Sequence, residues 1–183
     1  MDFEVQFGTL TEYRGEDEYV TIPTQAVGSS SSECGFVRLR DSRVISAIGD
    51  IAFMDNKKLK GIIIPDQVIR IGKMAFYECE NLEKIVIPDS VERIGDRAFS
   101  YCTSLTEVVL GRGVKSIGRE AFLGCENLRS VTVPESVTEI GERALGYLRA
   151  LTLLPRESFV ICGKKGSAAE SYAHSNHFVF KAL

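Results

Sequence analysis

A repeat of 23 residues governs this sequence. The pair Ile-Gly occurs five times at that spacing, and it is followed by Ala-Phe in four repeats and by Ala-Leu in the fifth. The isoleucines of these pairs are Ile48, Ile71, Ile94, Ile117 and Ile140. Another column at the same spacing contains Leu39, Ile62, Ile85, Val108, Val131 and Leu154. Such a period is typical of a solenoid, because one short repeat cannot bury its own apolar side and must stack on its neighbours.

Each repeat contains a strand pattern and a turn pattern. In LEKIVIP (82–88), the two-residue period of a strand points Leu82, Ile85 and Ile87 inward and Lys84 and Val86 outward. In the following VERIG (91–95), the glycine permits a tight or left-handed corner. The next segment, RAFSYCTSL (97–105), places its apolar residues about three apart, which predicts a short helical or 3₁₀ turn on the convex side.

The consensus of these repeats resembles a known family. Its pattern, V-x-x-I-G-x-x-A-F-x-x-C-x-x-L-x-x-I-x-I-P, is similar to the BspA-type leucine-rich repeat over residues 39–154. Residues 3–23 and 160–183 resemble the opening and closing caps of that family. The resemblance implies a leucine-rich-repeat solenoid with a parallel concave sheet of short strands. It also implies a bacterial interaction or adhesion module without a common enzymatic activity.

The chain is therefore expected to form one domain over residues 1–183. We predict an N-terminal cap over 1–23 built from a β-hairpin, a degenerate repeat with a mobile loop over 24–38, five repeats over 39–154, and a helix-plus-strand cap over 155–183. In the C-terminal cap, Ser167 and Glu170 predict a capping box at the start of a helix that buries Ala169, Tyr172 and Ala173.

The composition excludes several classes of function. With 22 basic and 25 acidic residues, the net charge of −3 gives no reason to expect a nucleic acid or an anionic membrane as partner. No apolar run approaches the length of about 20 residues that a membrane-spanning helix needs. Met1 leads directly into DFEVQF without the features of a signal peptide. We expect a cytoplasmic chain if Met1 is the native start, and a secreted or surface protein, as the resemblance implies, if a leader has been removed.

The residues that could serve in catalysis or metal binding do not form a recognisable motif in the sequence. Cys79, Cys102 and Cys125 share one column and are expected to pack inward as free thiols. His174 and His177 have only loose metal-ligand spacing, and the chain has no other histidine. We therefore predict no catalytic residue, no cofactor and no metal site.

The outward strand positions are the remaining candidate site. One outward column reads Ile63, Val86, Val109 and Thr132, and the adjoining column includes Lys84 and Glu107. Aliphatic residues on an exposed strand can reflect β-propensity alone. They can also mark a recognition surface for a protein partner. We expect non-catalytic protein binding or adhesion through this face. The alternatives are a self-associating structural module and, with less support, an enzyme or metal protein.

Overall fold

The computed structural model describes residues 3–25, the backbone of 37–39, and residues 44–148 and 158–183. Within these ranges it contains fifteen short strands and one helix. The strands are Phe3–Gln6 (β1), Thr9–Tyr13 (β2), Tyr19–Thr21 (β3), Val37–Leu39 (β4), Ala47–Ile48 (β5), Gly61–Ile63 (β6), Arg70–Ile71 (β7), Lys84–Val86 (β8), Arg93–Ile94 (β9), Glu107–Val109 (β10), Ser116–Ile117 (β11), Ser130–Thr132 (β12), Glu139–Ile140 (β13), Val160–Gly163 (β14) and Val179–Ala182 (β15). The helix is Ala168–Ser175 (α1).

The strands form two sheets along the solenoid. Sheet A has eight strands in the order β13-β11-β9-β7-β5-β2-β1-β4, and sheet B has seven in the order β15-β14-β12-β10-β8-β6-β3. A central repeat gives three residues to sheet B, as in Lys84–Val86, and two residues to sheet A, as in Arg93–Ile94. The predicted leucine-rich-repeat solenoid with short parallel strands is confirmed. The sequence did not predict sheet A, because a two-residue strand is too short to show alternation.

The repeated glycine serves close packing and not a left-handed corner. A Cβ atom on Gly95 would lie 2.6 Å from the carbonyl carbon of Gly72 in the preceding repeat, which is closer than side chains tolerate. The left-handed backbone occurs two residues later, at Arg97 (φ 55°). The prediction of a left-handed corner at the glycine is therefore wrong. Glycine is required because the backbones of neighbouring repeats approach too closely for a side chain, and not because of its φ value.

The segment after this glycine forms turns that bond to the next repeat. In one repeat, the N–H groups of Met74, Phe76 and Glu78 donate to carbonyls of the following repeat at 2.9, 2.7 and 2.9 Å. Met74 and Glu78 have positive φ values of 54° and 58°, which direct alternate N–H groups along the solenoid. A helix would instead turn those N–H groups toward its own carbonyls. The segment therefore forms a third hydrogen-bonded ladder between repeats. The intervening N–H groups of Tyr77 and Cys79 donate to the carbonyls of Met74 and Phe76 at 3.1 and 3.2 Å, which are the i→i−3 bonds of the predicted 3₁₀-type turns.

The core is a column of stacked phenylalanine rings. The rings of Phe53, Phe76, Phe99 and Phe122 follow one another at centroid distances of 4.9, 5.0 and 5.1 Å, with interplanar angles of 12°, 3° and 9°. Tyr13 extends the column into the N-terminal cap, 5.2 Å from the ring of Phe53. The column therefore joins the cap to the repeats through one continuous apolar core.

The N-terminal cap contains the predicted hairpin. Strands β1 and β2 pair antiparallel and continue sheet A, and β3 begins sheet B. Phe3, Val5 and Phe7 alternate in the sequence, but Phe7 lies at the hairpin turn with φ 50° and is 78% exposed. The alternation ends there because the chain reverses direction before the next inward position.

The C-terminal cap closes the end of the third ladder. The hydroxyl of Tyr172 accepts a hydrogen bond from the N–H of Leu145 and donates one to its carbonyl, both at 3.1 Å. Helix α1 buries Ala169, Tyr172 and Ala173 as predicted. The predicted capping box is wrong in detail: Ser167 makes no side-chain capping bond, and the carboxylate of Glu170 accepts the N–H of Gly166 at 2.6 Å.

The 23-residue register fails at both ends of the solenoid. At the front, Val20 pairs with Ile62 in sheet B, whereas Leu39 pairs with Val5 in sheet A. At the back, Val131 pairs with Ile161, which does not follow the 23-residue spacing. Leu154 and most of the predicted loop over 24–38 lie outside the described residues. The division of the chain into caps and repeats stays a prediction.

We expect Phe99→Ala to destabilise the domain severely. Phe99 is fully buried and stacks on both neighbouring rings, and replacing a buried phenylalanine by alanine costs about 3–5 kcal/mol. Chemical denaturation followed by circular dichroism measures the loss. The control is Tyr19→Ala, which truncates a ring that is 66% exposed. Equal losses of stability in the two variants would contradict the assignment of the ring column as the core.

Candidate functional site

The predicted recognition residues lie together on the outer side of sheet B. Strand register places Val109 beside Val86 on one side and beside Thr132 on the other. Ile63 occupies the same position on the neighbouring β6. These four residues are here called the aliphatic stripe.

The stripe is exposed because the strands alternate. Ile63, Val86 and Val109 are 64%, 47% and 42% exposed, and Thr132 is also exposed. The residues one position before them are buried against the core: Ile62, Ile85, Val108 and Val131. Each short strand thus presents its middle residue to the core and its two end residues to solvent.

The second outward column is polar. The Lys84 Nζ lies 2.7 Å from the Glu107 Oε1, and both side chains are about half exposed. An exposed pair of this kind contributes only about 0–1 kcal/mol to stability. The structure therefore brings the two predicted charged residues together beside the stripe, where they give the face a fixed polar border.

The outer face continues onto both caps, which the repeat analysis missed. Thr21 pairs with Ile63, and Cys162 pairs with Thr132, so both columns extend beyond the repeats. Tyr19 is 66% exposed, and its ring lies where a side chain on Gly61 would be, 3.0 Å from an ideal Cβ. Outward and inward residues alternate in YVT (19–21) and VICG (160–163), and this was visible in the sequence. Neither segment follows the 23-residue spacing, however.

The cysteine column is chemically inert. Cys79, Cys102 and Cys125 are buried, and each Sγ lies 3.1–3.2 Å from the carbonyl oxygen of the phenylalanine in the preceding repeat. Burial raises the pKa of Cys79 and of Cys125 to about 12, and it raises that of Cys102 well above its ordinary value. A thiol that stays protonated is neither a nucleophile nor a metal ligand.

The other candidate metal ligands do not form a site in the described residues either. Across the described residues, no group of three or more His, Cys, Asp or Glu side chains could hold a metal ion. His174 and His177 are both exposed, one on the last turn of α1 and the other after it. In the same part of the chain, no helix is long and apolar enough to cross a membrane.

The repeat pattern of this chain matches a known protein family. The model of the BspA type leucine rich repeat region matches residues 32–153 in six copies. The chain belongs to the BspA-type leucine-rich repeat family. No curated protein matches it.

Solved structures with the same fold come from several bacteria. A leucine-rich repeat protein of T. pallidum, TpLRR, is 25% identical with a TM-score of 0.67, over 84% of this chain and 62% of that one. A leucine-rich repeat protein of Bacteroides ovatus is 30% identical with a TM-score of 0.58, over 85% and 44% of the two chains. The pneumococcal vaccine antigen PcpA is 25% identical with a TM-score of 0.55, over 86% and 43%.

These comparisons define the general class of the protein. The chain spans less than two thirds of each of the three structures. Leucine-rich repeat proteins are typically non-enzymatic modules for protein interaction or adhesion, and this chain is a repeat protein of the BspA type.

One buried carboxylate in the BspA-type repeats has a structural role. Glu120 is 4% exposed and lies within 2.7 Å of the Arg97 Nε, 3.2 Å of an Arg119 nitrogen and 3.5 Å of an Arg143 nitrogen. Burial opposes its ionisation, but the hydrogen bond from Arg97 and the charges of the three arginines outweigh burial and lower the pKa of Glu120. A carboxylate held ionised in this way joins three successive repeats and is poorly suited to proton transfer.

We expect Glu120→Gln to destabilise the domain by about 1–3 kcal/mol at neutral pH, because the hydrogen bonds to charged partners are weakened. A carboxyl group whose pKa is lower in the folded chain than in the unfolded chain stabilises the fold at pH values above its unfolded pKa. That stabilisation is lost as the pH falls through the folded pKa. The difference between wild type and variant should therefore shrink below about pH 4. Denaturation curves across pH measure it, with the exposed Glu142→Gln as control. A difference that is independent of pH would contradict this role.

We expect the double variant Val86→Thr, Val109→Thr to keep nearly all of its stability, since surface changes usually stay within about 0.5 kcal/mol. The matched pair Val91→Thr, Val114→Thr replaces fully buried residues and should cost about 1–3 kcal/mol for each hydroxyl. Thermal or chemical denaturation of both variants gives the comparison. Equal losses would mean that the inward and outward positions have been assigned incorrectly.

Proposed function

We propose that this chain binds a protein partner through the outer face of sheet B, with the aliphatic stripe at the centre of the contact. Apolar residues from neighbouring strands form a continuous surface there, and contiguous exposed apolar surface often marks a binding site. Because short parallel strands on a packed core hold it, the surface is preorganised and loses little conformational freedom on binding.

The observation that carries this proposal is the contrast between the two sheets. If β-propensity alone selected outward residues, both sheets would expose aliphatic side chains at their strand positions. The corresponding column of sheet A instead contains Arg70, Arg93, Ser116 and Glu139. Among the described strands, sheet B alone presents exposed aliphatic residues in register, which favours selection for contact over selection for strand formation.

The surroundings of the stripe fit a protein contact. Interfaces combine an apolar centre with a polar rim, and tyrosine is enriched in them. Here the pair Lys84–Glu107 lies at one side of the stripe, and the exposed ring of Tyr19 lies at the N-terminal end of the same face. The family is associated with interaction and adhesion, in agreement with this arrangement.

The experiment compares the proteins captured by the immobilised full chain and by its Val86→Thr, Val109→Thr variant. The control is Val44→Thr, a change of the same chemistry at a residue that is 47% exposed but lies outside sheet B. We expect a partner that wild type and control retain and the stripe variant loses. Equal capture by all three would overturn the proposal.

Self-association through the same face is the second outcome to be tested. Light scattering across a range of concentrations measures the molar mass of wild type and stripe variant. A mass that rises with concentration for wild type and stays monomeric for the variant would replace the foreign partner with a second copy of the chain.

A further inference from the structure

Two arginines of sheet A lie side by side on its outer surface. Arg70 on β7 is directly opposite Arg93 on β9, and both side chains are exposed. Neighbouring strands are about 4.8 Å apart, so the two positive charges leave the backbone at close range. Like charges directly opposite each other destabilise a sheet.

Neither arginine has an ion-pair partner among residues 3–25, 44–148 and 158–183. The nearest acidic residue in the sequence, Glu92, is already engaged by the Lys115 Nζ at 2.7 Å. The arrangement is therefore a concentrated positive site within a protein whose net charge is −3.

The other like-charge pair in the described strands has an oppositely charged partner that the arginine pair lacks. Glu4 lies opposite Glu12 between β1 and β2, and a nitrogen of Arg14 lies 3.5 and 2.7 Å from their carboxylates. One oppositely charged group thus bridges the two like charges. The two arginines on sheet A also lie opposite each other, across a parallel strand pair, but without such a bridge.

We propose that Arg70 and Arg93 bind a carboxylate from an acidic segment of a protein partner, at a surface separate from the outer face of sheet B. A guanidinium group presents paired N–H donors that match the two oxygens of a carboxylate. Two guanidinium groups in register would hold one carboxylate between them or two from adjacent acidic residues. The interaction removes the repulsion that the free chain retains.

The surroundings favour a short acidic peptide over a long polyanion. Ile69, next to Arg70, is 51% exposed and offers an apolar contact beside the charges. Farther along the same column, Ser116 is followed by the carboxylate of Glu139, which repels an extended chain of negative groups. An acidic residue flanked by apolar ones matches this pattern of charge and apolar surface.

The test uses a fluorescently labelled peptide with two adjacent glutamates flanked by leucines, and a second peptide with glutamines in their place. Fluorescence anisotropy at low salt measures binding to the full chain. We expect the glutamate peptide to bind, the glutamine peptide to bind at least tenfold more weakly, and added salt to weaken the binding. The variant Arg70→Gln, Arg93→Gln should lose at least tenfold in affinity.

The matched control is Arg112→Gln, Arg129→Gln, which removes the same charge from two exposed arginines at other positions. It should bind within about twofold of wild type, since only the general field of the protein changes. The stripe variant Val86→Thr, Val109→Thr should also bind normally, so this result is independent of the function proposed for sheet B. A melting temperature of the Arg70→Gln, Arg93→Gln variant at or above that of wild type confirms that it folds.

Three results would overturn the proposal. One is equal affinity of wild type and the Arg70→Gln, Arg93→Gln variant for the glutamate peptide. Another is equal binding of the glutamate and glutamine peptides. The third is binding of a sulfated glycan such as heparin without binding of either peptide, which would assign the site to a polyanion.

Discussion

The structure depends on backbone hydrogen bonds that run from each repeat to the next through its turns. A turn exposes N–H groups that must find acceptors, and here alternate residues such as Phe76 donate to the following repeat. The left-handed conformation at residues such as Met74 and Glu78 makes this direction possible. Because the two sheets are also paired between repeats, every repeat is held at three places, and its turn needs no helix.

This arrangement separates the residues that hold the fold from those that are free to contact a partner. The inward positions are fixed by the phenylalanine column and by the close approach of Gly95 to Gly72. The outward strand positions carry none of these constraints, so they can differ between the sheets. Sheet B has aliphatic residues there, while sheet A has Arg70 and Arg93. The surfaces proposed for binding can therefore change without loss of the core.

The sequence was sufficient for the period, the family, the inward and outward strand residues and the buried face of the cap helix. It was insufficient where the chain departs from its period, as at Leu39 and Ile161, because spacing alone cannot place a strand outside the repeats. The turn ladder was missed for another reason: non-glycine residues with positive φ, such as Arg97, leave no signal in residue type. Sheet A was missed because its two-residue strands are too short to show alternation. The stripe was predicted, but its extension to Tyr19 required the structure.

Hydrogen exchange at the turn amides tests this account most directly. If the turns form a ladder between repeats, the N–H groups of Phe53, Phe76 and Phe99 should open only with global unfolding, like the amides of the core strands. Their protection measured by NMR should then match that of Ile85 in sheet B. Exchange at the rate of an exposed turn residue, such as Lys165, would contradict the ladder and leave the two sheets as the only connection between repeats.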